Sequence, residues 1–299
     1  MPDTTRTGNV VVVGDALIDE LRRDGNVDDY VGGAALNVAV GLASLGVQTT
    51  LLAMVGDDAD GAKIRAFLAE HGVALIATLG PNGTSRGVSE RINGEPHYVF
   101  NAAAQARRIE FGPAEREALA NAPLVVVSCF PFDDVEQSRE LLDAVPDARD
   151  RFVVDPNPRA SMMHDVERFR QTFHALTPHT LLIKVGDDDA ELLYGTGVQE
   201  LTSQLLRDGA RAVLATSGPG GASVHTPEGI DASVPIATLP GPVIDTMGAG
   251  DATLASVIAS ILDGGTPVDA EGWTRVLERA MLIAAATCRS EGALLRLPG

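Results

Sequence analysis

The feature that most limits what this chain can fold into is a recurrence of short apolar, β-branched runs separated by segments of helical spacing. The runs fall at Val10–Val13, Thr50–Val55, Leu124–Val127, Phe152–Val154, Leu181–Val185 and Ala212–Ala215. Each has the length of a strand buried on both faces and is too short for a helix. Between them, Ile64, Phe67, Leu68 and His71 repeat with helical spacing up to Gly72, and Val135, Leu141, Leu142 and Val145 do so up to Pro146. The alternation predicts βαβ units, and so an α/β fold with a doubly wound, mostly parallel central sheet flanked by helices.

Two regions break the alternation, at about 22–31 and 85–101. In the second, Gly87–Ile92 and Pro96–Phe100 flank Asn93-Gly94 as the arms of a hairpin flank its turn. Neither region has much apolar surface of its own. They are expected to pair as a discontinuous β lid over a single α/β domain spanning residues 1–299. Unpaired edges on so small a sheet favour a homodimer formed through the lid.

Composition narrows the partners. A net charge of −18 argues against nonspecific binding of nucleic acid or an anionic membrane, which need cationic surface to displace counterions. Any phosphate must be handled locally. The lysines are Lys63 and Lys184, and neither stands in a G-x-x-x-x-G-K-[ST] loop, which excludes a P-loop enzyme. Cys129 and Cys288 lie far apart without neighbouring Cys or His at ligand spacing, so buried thiols are expected rather than a zinc site or a disulfide. Gly32–Gly56 carries no charge and is long enough to span a bilayer, but Asn37, Ser44, Gln48, Thr49 and Thr50 interrupt it. Gly46 reads there as the end of a helix that precedes a strand. Met1–Asn9 is polar and lacks the apolar centre of a signal peptide, so a cytoplasmic location is expected.

The chemistry concentrates near the C-terminus. Gly241-Pro-Val-Ile-Asp-Thr-Met-Gly-Ala-Gly-Asp251 runs into the apolar helical pattern Ala252–Leu262, closed by Asp263-Gly264-Gly265. A glycine turn therefore opens a buried helix. Gly248, Ala249 and Gly250 let backbone N–H groups approach an anion, and the helix start adds unpaired donors and a positive dipole end. Asp251 stands beside those donors, placed to take a proton from a hydroxyl while the amides receive charge from a transferred phosphoryl group. Read alone, the same residues equally describe a tight turn with Asp251 as its helix cap.

Asp245-Thr246-Met247-Gly248-Ala249-Gly250-Asp251 matches the D-T-x-G-A-G-D signature of the ribokinase-like (PfkB) carbohydrate kinases, which the chain resembles over nearly its whole length. The resemblance implies an ATP-dependent kinase with Asp251 as catalytic base and Thr246 beside the nucleotide. Gly14-Asp15-Ala16-Leu17-Ile18-Asp19 follows the first strand and implies that Asp19 holds substrate hydroxyls. Gly32-Gly33-Ala34-Ala35-Leu36-Asn37 resembles the family's first signature, with Gly32 and Gly33 as a lid hinge and Asn37 on the sugar. An unpaired amide in so apolar a helix would be costly, which adds weight to Asn37. Asp155-Pro156-Asn157-Pro158-Arg159 is similar to the D-P-N-x-R segment of fructokinase-like members, where Asn157 and Arg159 would face the transferred phosphate. Thr216-Ser217-Gly218-Pro219-Gly220-Gly221 resembles the loop beside the nucleotide, which puts Thr216, Gly218 and Gly221 there.

The family's N-x-x-E magnesium segment departs from pattern as Gly186-Asp187-Asp188-Asp189. Its asparagine is missing, and Asp189 is the carboxylate left to hold Mg2+ through water, although three adjacent aspartates also fit a charged helix start. Thr253 replaces the phenylalanine that many members carry. The implied ligands are ATP, Mg2+ and a sugar or sugar acid, with fructose first and a monovalent cation such as K+ as a further requirement of some relatives. Tyr98, Phe100 and Tyr30 are the aromatic residues a nucleoside kinase would need in its lid, so that reading stays open, as does a noncatalytic sugar or nucleotide sensor. A Rossmann dehydrogenase meets two objections: the glycine turn comes late in the chain, and its third glycine position is Thr253.

Overall fold

The computed structural model describes residues 8–23, 26–92, 95–145 and 148–299. In chain order the strands are β1 (Val10–Gly14), β2 (Leu17–Arg23), β3 (Asn26–Gly32), β4 (Thr49–Val55), β5 (Ala74–Leu79), β6 (Arg86–Ile92), β7 (Glu95–Phe100), β8 (Val125–Ser128), β9 (Phe152–Asp155), β10 (Leu182–Gly186), β11 (Val213–Thr216), β12 (Ala222–His225) and β13 (Asp231–Val234). Nine of them form one sheet in the order β13-β12-β11-β10-β9-β8-β1-β4-β5. From β11 to β5 every neighbouring pair is parallel, and β12 and β13 close the far edge antiparallel. The expected doubly wound sheet is thus present, and each anticipated run is a strand within it.

Successive strand residues feed opposite faces, as the pleat requires. Val10 and Val12 pack with Leu36, Ile64, Leu254, Ile258, Trp273 and Leu277 on one face. Val11 and Val13 pack with Leu119, Leu141, Phe169, Phe173 and Leu205 on the other. The first face is covered by the helices Ala34–Ser44, Ala59–Glu70, Ala249–Gly264 and Ala270–Thr287; the second by Pro113–Asn121, Val135–Ala144, Val166–Leu176, Asp187–Tyr194 and Val198–Arg207. The uncharged stretch 32–56 divides into the helix Ala34–Ser44 and β4, with Gly46 at φ 81 just past the helix end. No helix among the described residues is long and apolar enough to cross a membrane. Cys129 and Cys288 are free and buried.

The remaining strands form a second sheet in the order β3-β2-β6-β7. It begins earlier than the sequence suggested. β2 starts at Leu17 rather than near residue 22 and pairs over its length with β3 and, in parallel, with β6 from Ile18↔Arg86 to Arg22↔Glu90. Asp19, Glu20, Arg22 and Arg23 hide that strand from a hydrophobicity reading; among its described side chains Leu17 and Ile18, at its base, are the buried ones. The Asn93-Gly94 turn, the stop at Pro146 and the side chain of Tyr98 lie outside the described residues. Both excursions leave the main sheet just beyond the carboxyl ends of parallel strands, β1 for one and β5 for the other.

Candidate active site

In a doubly wound sheet the crevice opens where strand order reverses, beyond the carboxyl ends. Here that point lies between β1, which continues outward through β4 to β5, and β8, which continues the other way to β11. The residues singled out from sequence converge on it.

The glycine turn enters from the C-terminal helices. Gly248 is the residue before the helix Ala249–Gly264, with φ 75, and a Cβ there would run into the carbonyl oxygen of Ala293. Glycine is thus required twice over, by conformation and by space. Asp245 locks the approach: its Oδ1 accepts the Met247 N–H at 3.0 Å and its Oδ2 the Gly292 N–H at 3.1 Å. Among the described residues the N–H groups of Gly248, Gly250 and Asp251 meet no protein acceptor, as a helix start leaves them. The Ala249 N–H turns instead to the Thr246 carbonyl at 3.3 Å, so Ala249 is a weaker member of the anticipated amide set.

Asp251 is the third residue of the helix and not its cap, because Gly248 holds that position and has no side chain to offer. Its carboxylate is turned away from the helix start and accepts a hydrogen bond from Asn37 Nδ2 at 3.0 Å. Burial pushes its pKa up from the ordinary carboxylate value, opposed by the Asn37 hydrogen bond and by the charges of Lys184 and Arg159. The capping alternative for Asp251 is therefore set aside.

Asn37 reaches Asp251 from the helix Ala34–Ser44, and its Oδ1 is buried without a protein partner. The N-terminus of that helix is held by Asp15, whose Oδ1 accepts the Ala35 N–H at 2.9 Å. Asp19 stands on β2 against Gly32, where any Cβ would collide with the Asp19 carboxylate. Burial, with help from the nearby Asp15 charge, raises the Asp19 pKa to about 6, while Arg159 pulls it back. Gly33 follows at φ 114 with the Asp15 carbonyl in the place of its missing Cβ.

From β9 come Asp155, Asn157 and Arg159. Asn157 is buried and sits at φ 37, a conformation that only a few residue types tolerate. Arg159 is exposed at the rim, its charge felt by Asp15, Asp19 and Asp251. Asp189 is buried and is the third residue of the helix Asp187–Tyr194; its Oδ2 accepts the Gly186 N–H at 2.7 Å. The helix-start role left open for the three aspartates is thus present for Asp189. Thr216 ends β11, and the turn Gly218–Gly220 with Gly221 follows on the same side of the sheet.

Two members went unnoticed in the sequence. Asp155 is fully buried, with Oδ2 lacking any partner, and Lys184 on β10 donates to its Oδ1 at 3.2 Å. The signal existed: Lys184 is one of the chain's two lysines and interrupts an apolar run read as a buried strand. An ammonium on such a strand must have a carboxylate to meet.

A doubly wound sheet with unpartnered helix-start amides and a buried carboxylate at its switch point has the architecture of the ribokinase-like fold. The pfkB family carbohydrate kinase model matches residues 8–298. The chain belongs to that family. Among curated relatives, the ATP-dependent 6-phosphofructokinase of Thermoanaerobacterium thermosaccharolyticum is 26% identical, covering 97% of this chain and 91% of its own. A fructokinase of Klebsiella pneumoniae is 28% identical over 97% of this chain and 96% of its own. Of solved structures, aminoimidazole riboside kinase from Salmonella enterica, complexed with aminoimidazole riboside and an ATP analogue, superposes with a TM-score of 0.77 at 21% identity, covering 96% of this chain and 95% of that one.

Proposed function

We propose that this carbohydrate kinase transfers the γ-phosphoryl group of ATP to a hydroxyl of a sugar or sugar acid, with a ketohexose such as fructose as the first candidate. The observation that carries the reading is the buried Asp251 carboxylate, turned off its own helix start and bonded to Asn37 at 3.0 Å, next to free amides at Gly248 and Gly250. Base and anion cradle share one helical turn, so a hydroxyl held by Asp19 and Asn37 loses its proton to Asp251 as it attacks. The Gly248 and Gly250 amides receive the charge on the phosphoryl oxygens, and Arg159 and Asn157 face the group in transit. The unpartnered Oδ1 of Asn37 supports a substrate hydroxyl as its missing donor. Thr216, Gly218, Gly221 and Thr246 border the nucleotide.

Mg2+, when bound with ATP, neutralises phosphate charge. The donor set suits it: Asp189 and the unpartnered Asp155 Oδ2 are hard oxygen donors, and Mg2+ is commonly held by one or two carboxylates plus phosphate and water. The sheet β3-β2-β6-β7 acts as the lid and excludes water, whose attack would merely hydrolyse ATP.

The named relatives act on a phosphosugar, a sugar and a riboside, so substrate class is decided by the chain's own residues. The D-P-N-x-R segment favours a sugar. A nucleoside reading would need aromatic faces in the lid, and Tyr30 is half-exposed on β3. An ADP-release screen over ketohexoses, pentoses, ketodeoxy sugar acids, sugar phosphates and nucleosides tests the reading. Sugar-dependent release is expected; release with nucleosides alone, or with none of them, contradicts it.

A further inference from the structure

The segment that should carry the magnesium asparagine has Gly186 instead, and a Cβ there would lie 3.2 Å from Thr216 Oγ1, 3.5 Å from Asp189 Oδ2 and 3.7 Å from the Thr216 carbonyl oxygen. What lies beside that gap is the Lys184 ammonium. Its Nζ is 3.2 Å from Asp155 Oδ1 and 3.9 Å from Asp189 Oδ2, and it stands 3.3 Å from where a Cβ on Gly250 would point. The lysine thus backs directly onto the glycine turn, nearly fully buried, with one close carboxylate partner and one distant one. A buried ammonium has three donors to satisfy, and a strictly structural ion pair would be expected to close around it. Here the pair stays open on both sides: Asp155 Oδ2 has no partner, and the lysine backs onto a turn whose Gly248 and Gly250 N–H groups meet no protein acceptor among the described residues.

We propose that Lys184 is a positioning residue of phosphoryl transfer, whose ammonium gives the Gly248–Gly250 cradle a fixed positive charge and so makes part of its phosphate affinity independent of metal. The inference rests on the kinase reading above. Without the lysine, Asp155, Asp189 and Asp251 would present three carboxylates, and no cation of β10, to an incoming polyphosphate. Arg159 approaches from the exposed rim and cannot replace a charge placed beneath the turn. Substitution at Gly250 acts on the same contact, because any side chain there presses on the Lys184 Nζ.

The test is calorimetric binding of ATP and of adenosine to the full chain in metal-free buffer containing EDTA, for wild type, Lys184→Met, Lys184→Arg and the double variant Lys184→Met/Asp155→Asn. Wild type is expected to bind ATP more tightly than adenosine. Lys184→Met should weaken ATP by about tenfold or more while leaving adenosine unchanged, and Lys184→Arg should retain most of the ATP affinity. The double variant removes the orphaned Asp155 charge, so it recovers thermal stability but not ATP affinity. Full recovery of ATP affinity in the double variant, an equal loss for ATP and adenosine, or an unchanged ATP affinity in Lys184→Met would each overturn the proposal. If wild type binds neither compound and releases no ADP with any sugar, the kinase reading itself falls, and the inference with it.

Discussion

Asp19 shows how a single residue can be read for its type yet not for its setting. The sequence identifies a carboxylate that follows the first strand; only the fold reveals that it lies on a strand of the smaller sheet, pressed on Gly32, with its pKa pushed up to about 6. The sign of the consequence follows from that shift. A carboxylate with a folded pKa above its unfolded value of about 3.9 makes the native state hold its proton longer, so stability falls as pH rises from about 4 through about 6. Asp19→Asn should therefore raise the thermal midpoint at pH 7 to 8, by the equivalent of about 1–3 kcal/mol, with the gain fading towards pH 4. The same variant should raise the sugar KM tenfold or more. Parallel melting curves against pH for the two proteins would contradict it. Asn37 was legible because amides are rare in such apolar helices, whereas Asp155 and Lys184 were not: their meaning is mutual, and 29 residues separate them in sequence.

At the scale of elements, the main sheet was readable because buried parallel strands are continuous apolar runs, and the helices between them declare their period. The smaller sheet was readable only in part, because β2 is charged. Glu20 among those charges has partners. Arg86 on β6 donates to Glu20 on β2 at 2.7 Å, to Asp29 on β3 at 2.6 Å and to Asp60 on the helix Ala59–Glu70 at 2.7 Å. Lys63 on that helix bonds Asp29 at 2.9 Å and Asp60 at 3.1 Å. The Arg86 hydrogen bond, seconded by that of Lys63, holds the Asp29 pKa at about 2. Three strands of the smaller sheet are thus tied to the helix Ala59–Glu70 through the Arg86 guanidinium, with Lys63 adding a second tie to β3. Arg86→Met is expected to cost about 1 kcal/mol of stability in low salt, to raise the sugar KM several-fold and to leave kcat nearly unchanged. High salt should shrink the difference between variant and wild type, because it screens the network. Equal sugar KM values in low salt would refute a role for Arg86 in holding the lid.

For the whole molecule, topology explains why scattered motifs act together. Residues 15, 19, 37, 155, 184 and 251 meet because β1, β8, β9 and β10 all end on one side of a sheet whose order reverses between the first two. No local pattern could place Asn37 within 3.0 Å of a carboxylate 214 positions away. The C-terminal signature on its own could have been a capped turn; what sets the capping role aside is that Gly248 holds the cap and Asp251 bonds Asn37 across the crevice. The role proposed for this carboxylate is that of the base in sugar phosphorylation. It is tested most directly by measuring ATP-dependent formation of the phosphorylated sugar by 31P NMR, with wild type and Asp251→Asn at equal concentration and with matched melting temperatures. Sugar phosphate is expected from wild type, and from the variant a rate lower by about 10²–10⁴-fold with the sugar KM little changed. Sugar phosphate formed by Asp251→Asn at the wild-type rate would contradict it.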